Sequence, residues 1–129
     1  MVPAVTLRPG LTGHATLRVG DGDTALRIGS GDVPVLGTPR LIALCEEATC
    51  RAVDGALGTP ATTVAMRVQF DHLSPSSVGS EVSAEATLEK VEGRRLVFSV
   101  SAKDSAGLVG AGKVTRIVVD RDTFLHRAR

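Results

Sequence analysis

Three side chains in this sequence join useful chemistry to a telling position: Glu46, His72 and Thr38. Glu46 lies in a helix-forming run from Thr38 to Val53. At about 100° per residue, Arg40, Ala43, Glu47, Arg51 and Asp54 share one face, with Glu47 and Arg51 at ion-pair spacing. Glu46 instead lines up with Ile42, Thr49, Cys50 and Val53. A carboxylate held against apolar surface costs free energy unless it is partnered, and its pKa is open to shifting. Catalysis draws on carboxylates of that kind. The competing reading is a glutamate at the edge of the stripe that snorkels to water.

His72 continues the alternation Val64, Met66, Val68, Phe70, so it is expected to point to the helix side as its strand ends. Pro75 and Gly79 then stop the strand and set a turn. A strand-end imidazole, with an unperturbed pKa near 6.5, suits an acid, a base or a hydrogen-bond donor. A hydrogen-bonded structural histidine fits the spacing as well. His14 and His126 have no such context.

Thr38, followed by Pro39, is expected to be the helix N-cap. Its hydroxyl proton would remain free to donate, and the helix N-terminus offers unpaired N–H groups and a positive dipole end suited to an oxyanion. Glu46 lies two turns further on, about 12 Å by helix rise. That is too far for both to touch one substrate atom from a single helix. A dimer that brought two helices together would remove the difficulty.

Around these residues the chain is most simply one domain of 129 residues, 1–129, long enough to bury a real core. A net charge of +1, no Trp, no Tyr and three Phe argue against nucleic acid, since both a basic patch and stacking platforms are missing. No apolar run approaches the roughly 20 residues that span a bilayer. The N-terminus lacks a charged segment followed by a long apolar one, so no signal peptide and no membrane partner are expected, and the location expected is cytoplasmic. Cys45 and Cys50 sit on different parts of one helix, too far apart for a disulfide, and read as reduced thiols. No histidine stands at ligand spacing from them, so no metal is expected. Gly20, Gly22, Gly29 and Gly31 match no phosphate or dinucleotide fingerprint, and no cofactor is expected.

The elements that must position the three residues follow from periodicity. Short extended stretches, Val5 to Arg8 and Ala15 to Val19, precede a Gly/Asp-rich segment from Gly20 to Gly37, read as a loop or lid. After the helix, closed by Gly55 and Gly58-Thr59-Pro60, come four strands: Ala61 to Leu73, Glu81 to Val91, Arg95 to Lys103 and Leu108 to Asp120. Val82, Ala84, Ala86 and Leu88, then Leu96, Phe98, Val100 and Ala102, form inward faces. Gly107, Gly110 and Gly112 suit close backbone approach, with the helix as the expected neighbour. The tail from Arg121 reads as a short helix or frayed end. The class is α+β, and the order β–helix–β–β–β–β is that of the hotdog fold, a long central helix wrapped by an antiparallel β-sheet.

Thr38 to Glu46, the block His72-Leu73-Ser74-Pro75-Ser76-Ser77-Val78-Gly79, and the stretches Leu88 to Leu96 and Gly110 to Arg116 together resemble hotdog thioesterases of the fluoroacetyl-CoA thioesterase type. The resemblance covers roughly residues 34 to 125. His-x-x-Pro-x-x-x-Gly followed by Val-Glu-Gly-Arg-Arg is moderately specific, more so with Thr and Glu eight apart on the preceding helix. It implies acyl-CoA hydrolysis of a small or medium acyl group, at sites formed between two protomers of a homodimer or a tetramer. By motif position it implies roles for Thr38, Glu46 and His72: Glu46 as nucleophile or general base, Thr38 orienting, His72 polarising or protonating. Ala65 stands where the family has a glycine lining its site. The last strand has Gly112-Lys113-Val114-Thr115-Arg116 where the family often has Gly-Thr-His-x-Arg. The segment before Thr38 offers Asp32, Val33 and Leu36, and no aromatic gate; Leu36 and Ala65 are expected to contact substrate. Arg94 and Arg95, at a hairpin, are candidates for the phosphates of CoA.

Two other functions compete. A non-catalytic hotdog module could bind acyl-CoA or serve in interaction, because fold does not decide function. A hotdog hydratase would need an Asp shortly before a Pro-x-His run, and none exists: Asp71 and His72 are adjacent, on opposite faces of a strand.

Overall fold

The computed structural model describes residues 6–128, so the expected stretch Val5 to Arg8 falls partly outside them, and residues 6–8 take no regular structure. Strand β1 (Thr12–Arg18) leads into a loop holding a 3₁₀ turn (Asp21–Asp23) and a one-turn helix, α1 (Ala25–Ile28). The long helix α2 (Thr38–Val53) follows, then β2 (Ala61–His72), β3 (Glu81–Glu92), β4 (Arg95–Asp104), β5 (Gly107–Asp120) and a closing helix, α3 (Arg121–Arg127). The strands form one antiparallel sheet in the order β1-β3-β4-β5-β2. Helix α2 lies against β1, β3 and β4. This is the hotdog arrangement expected from the element order. Among the described residues no helix is long and apolar enough to cross a membrane.

The core is built from the alternation read in the sequence. Val82, Ala84, Ala86 and Leu88 of β3 and Leu96, Phe98, Val100 and Ala102 of β4 are buried, and meet Leu41, Leu44, Cys45, Ala48, Ala52 and Val53 of α2. Each large side chain sunk there contributes about 1.5–3 kcal/mol before entropy is counted.

Three expectations are corrected. The N-cap of α2 is Gly37, in extended backbone, and no side chain caps the helix. Thr38 is already helical, with Pro39 supplying the pre-set φ of the first turn. In β2 a bulge between Ala65 and Arg67 inserts Met66 as an unpaired residue. A one-residue insertion flips the parity of a strand, so Val68 and Phe70 pack on the core while Met66 is 45% exposed. The glycines of β5 also serve differently. A Cβ on Gly110 would stand 2.6 Å from the Phe70 ring, and one on Gly112 would meet the Gln69 carbonyl, so both make room for β2 rather than for the helix. The residue that lets backbone approach α2 is Gly13, where a Cβ would run into the Ala48 carbonyl and the Ala52 amide.

Candidate active site

Because Gly37 takes the cap position, the Thr38 hydroxyl is not spent on its own helix. It stands 2.7 Å from Nδ1 of His72, a hydrogen bond between the start of α2 and the end of β2. Either group can donate, depending on the imidazole tautomer. If Nδ1 accepts the threonine proton, Nε2 carries the ring hydrogen. Nε2 is buried and meets no hydrogen-bond partner among the described residues. A buried polar atom left in that state is costly, so Nε2 is poised to take a partner from the cleft, a water or a ligand.

Thr38 and His72 line a cleft of about 340 Å³, together with Val33, Val35, Leu36 and Leu73. Its walls come from the Gly/Asp-rich loop and from the turn after β2. The two are tied together: Leu36 N–H donates to the Ser76 carbonyl (2.8 Å), and Val35 bridges Ser77. The loop is anchored at its base by Asp23, which accepts from Arg40 Nε of α2 (3.0 Å) and from Gly20 N–H (2.8 Å). Leu36, expected to contact substrate, is buried in the cleft wall.

Glu46 is half-buried, whereas Glu47 is exposed and pairs with Arg51 at 2.7 Å, the division that helical periodicity gives. Its carboxylate makes no ion pair among the described residues. Glu46 does not line the cleft. Eight residues along α2 separate it from Thr38, about 12 Å by helix rise, so one chain unites Thr38 with His72 but not with Glu46. The thiol beside it is no competing nucleophile. Burial, and after it the Glu46 carboxylate, push the Cys45 thiol up to about 11, and a protonated thiol is a weak nucleophile.

The remaining expected contacts lie elsewhere. Ala65 and Arg94 line a second groove on the outer side of β2 and β5, of about 310 Å³. Ala65 is seven residues before His72 on the same strand, roughly 23 Å away. Arg95 opens β4, is exposed and lines neither cleft.

Among the buried polar groups that periodicity overlooked are Arg116 and Ser76. Arg116, only 6% exposed, sends Nε to Thr63 Oγ1 (2.9 Å) and Nη2 to the Thr63 carbonyl (3.0 Å). An arginine between Val114 and Val118 on the inward parity of β5 was its signal. Ser76, 1% exposed, bonds the Asp104 carboxylate at 3.1 Å and fixes the turn that follows His72. A lone serine in a polar loop carries no such signal.

A family model described as fluoroacetyl-CoA-specific thioesterase matches residues 19–122. A fluoroacetyl-CoA thioesterase from Streptantibioticus cattleyicolor is 30% identical over 95 residues, spanning 74% of this chain and 68% of that protein. The solved structure of a fluoroacetyl-CoA thioesterase superposes with a TM-score of 0.90 at 25% identity, over 97% of both chains. A hot-dog-like protein from Thermanaerovibrio acidaminovorans superposes at 0.85 with 24% identity, over 94% of this chain and 90% of that one, a likeness of fold.

Proposed function

Since the chain belongs to the fluoroacetyl-CoA-specific thioesterase family, it is an acyl-CoA thioesterase, and we propose that Glu46, Thr38 and His72 carry its hydrolysis of a small or medium acyl-CoA. The observation that supports this most directly is the 2.7 Å contact between Thr38 Oγ1 and His72 Nδ1 at the cleft. The cleft's apolar wall of Val33, Val35 and Leu36 suits a short hydrocarbon tail.

In this reading the thioester carbonyl lies at the start of α2. Leu41 N–H is already bound to the Gly37 carbonyl and Pro39 has no N–H, which leaves the amides of Thr38 and Arg40 as donors that the helix does not use. They and the positive helix end favour the oxyanion. Glu46 either removes a proton from the attacking water or attacks the carbonyl carbon itself, giving an anhydride that water then opens. In both routes the C–S bond breaks, the acyl carbon gains a water oxygen, and the CoA thiolate leaves with a proton. His72 Nε2, if it carries hydrogen, supplies that proton or polarises the carbonyl.

The distance between Glu46 and the Thr38–His72 pair leads us to propose a homodimer whose site takes Glu46 from the other copy. Strand β2 supports this, because among the described residues it ends the sheet and pairs only with β5. A long strand with an open edge is ready to pair with another chain. The proposed setting is the cytoplasm.

The test is to mix the protein with acyl-CoAs of increasing chain length and follow free thiol release. Glu46→Gln should abolish release while Glu47→Gln leaves it. Equal rates for Glu46→Gln and the unaltered protein would eliminate this mechanism.

A further inference from the structure

On the outer face of the sheet, helix α3 closes a groove that none of Thr38, Glu46 and His72 lines. Its floor is apolar: Val64 and Met66 of β2, Ile117 and Val119 of β5, and Phe124 of α3. Two guanidiniums stand at its rim, Arg94 from the β3–β4 hairpin and Arg127 from the last turn of α3. The same two arginines, with Phe124, line an adjoining hollow of about 100 Å³. Neither arginine pairs with a carboxylate among the described residues.

The walls are held by hydrogen bonds that do not involve the arginine side chains. Val118 N–H donates to the Arg94 carbonyl (2.8 Å), Arg121 N–H to the Pro60 carbonyl (2.9 Å), and Thr123 N–H to the Asp120 carboxylate (3.0 Å). Side chains at positions 94 and 127 are therefore free to answer a ligand without holding the fold. An apolar floor that includes an aromatic side chain, with two guanidiniums on the same lining, is the complement of a purine joined to phosphates. Asp120, the one carboxylate on the adjoining hollow, accepts from Thr123 N–H and caps α3. The groove opens on β2, the strand whose other end carries His72.

We propose that this groove seats the nucleotide end of CoA, with Phe124 against the adenine and Arg94 and Arg127 on the phosphates. The proposal rests on acyl-CoA being the substrate, and it adds to Arg94 two residues of α3, while leaving Arg95 out.

The experiment measures binding of CoA and of ADP by calorimetry, and turnover of an acyl-CoA beside the matching S-acyl-pantetheine, which has no nucleotide. Arg94→Ala and Arg127→Ala should each raise the Kd for CoA about tenfold, the size of one lost charge-assisted contact. KM for acyl-CoA should rise with them, while kcat/KM for acyl-pantetheine stays constant. Phe124→Leu should weaken CoA and leave pantetheine unaffected. Arg94→Lys should keep part of the affinity, which separates lost charge from lost fold. Arg51→Ala, with the same charge change on the far helix, should alter nothing. An unchanged Kd for CoA in the Arg94/Arg127 double variant would overturn the assignment, as would an equal loss for acyl-pantetheine. Binding of ADP as tight as that of CoA, and insensitive to the two arginines, would also count against it. Arginine-dependent binding of CoA without any turnover would uphold the groove and sink the catalytic reading instead.

Discussion

Thr38 and His72 are 34 residues apart in sequence, yet their side chains stand 2.7 Å from each other, Oγ1 to Nδ1. The contact joins the first residue of α2 to the last of β2. It exists because glycine, not threonine, occupies the cap position.

Two groups that act through one hydrogen bond should behave as one when removed. Thr38→Val and His72→Ala are each expected to lower kcat/KM by about 10²-fold or more, and the double variant by little more than the worse single one. A double-mutant cycle on thiol release measures the coupling. Losses that multiply would mean the two side chains act independently.

The Asp23–Arg40 pair is only partly exposed, at 21% and 30% of the respective side chains, and Asp23 also holds Gly20 N–H. Asp23→Ala should cost about 1–2 kcal/mol in urea unfolding, typical of lost hydrogen bonds to a charged group. Residues 20–37 supply most of the cleft wall, so KM should rise more than kcat falls. A variant with reduced stability and unaltered KM would show that the loop does not depend on this anchor.

The two thiols should differ sharply in reactivity. Cys50 is exposed and Cys45 buried, so a thiol reagent at pH 8 should titrate one group in the native protein and two after denaturation. Burial first, and Glu46 second, raise the Cys45 pKa from 9.0 to about 11. A folded-state pKa above the unfolded one means the stabilising contribution is complete below the unfolded value and is lost as pH climbs through the folded one. Unfolding free energy should therefore decline between about pH 9 and 11, and decline less in Cys45→Ala. Parallel pH profiles would contradict this origin.

Gly13→Ala is expected to destabilise the fold by about 3 kcal/mol or more. Its Cβ would meet helix backbone, which cannot rotate away as a side chain can. Chemical denaturation gives the value. A loss below about 1 kcal/mol would show that α2 shifts readily on β1.

How much of this was legible depended on regularity. β3 and β4 alternate without interruption through their buried faces, and α2 runs over the residues that periodicity assigned. β2 was misread at Met66 because a bulge leaves no mark in composition, and because an edge strand is buried less completely. Thr38 was given the cap that hydroxyls usually take, since nothing local says that a histidine 34 positions away would claim it. The role of Gly13 was invisible for the same reason: its neighbour is helix backbone, 35 residues on at Ala48. Glu46 was separated from Glu47 by helical phase alone, and the structure keeps that separation.

Helix α2 also acts as a ruler. It holds Thr38 and Glu46 on one stiff rod, so the interval between them is graduated in whole residues. Adding or deleting a single residue between the two would swing the carboxylate by about 100° and slide it by about 1.5 Å. Divergence in this chain can accumulate through loop length and surface exchange, but an indel inside that octet would misalign both ends of the rod at once.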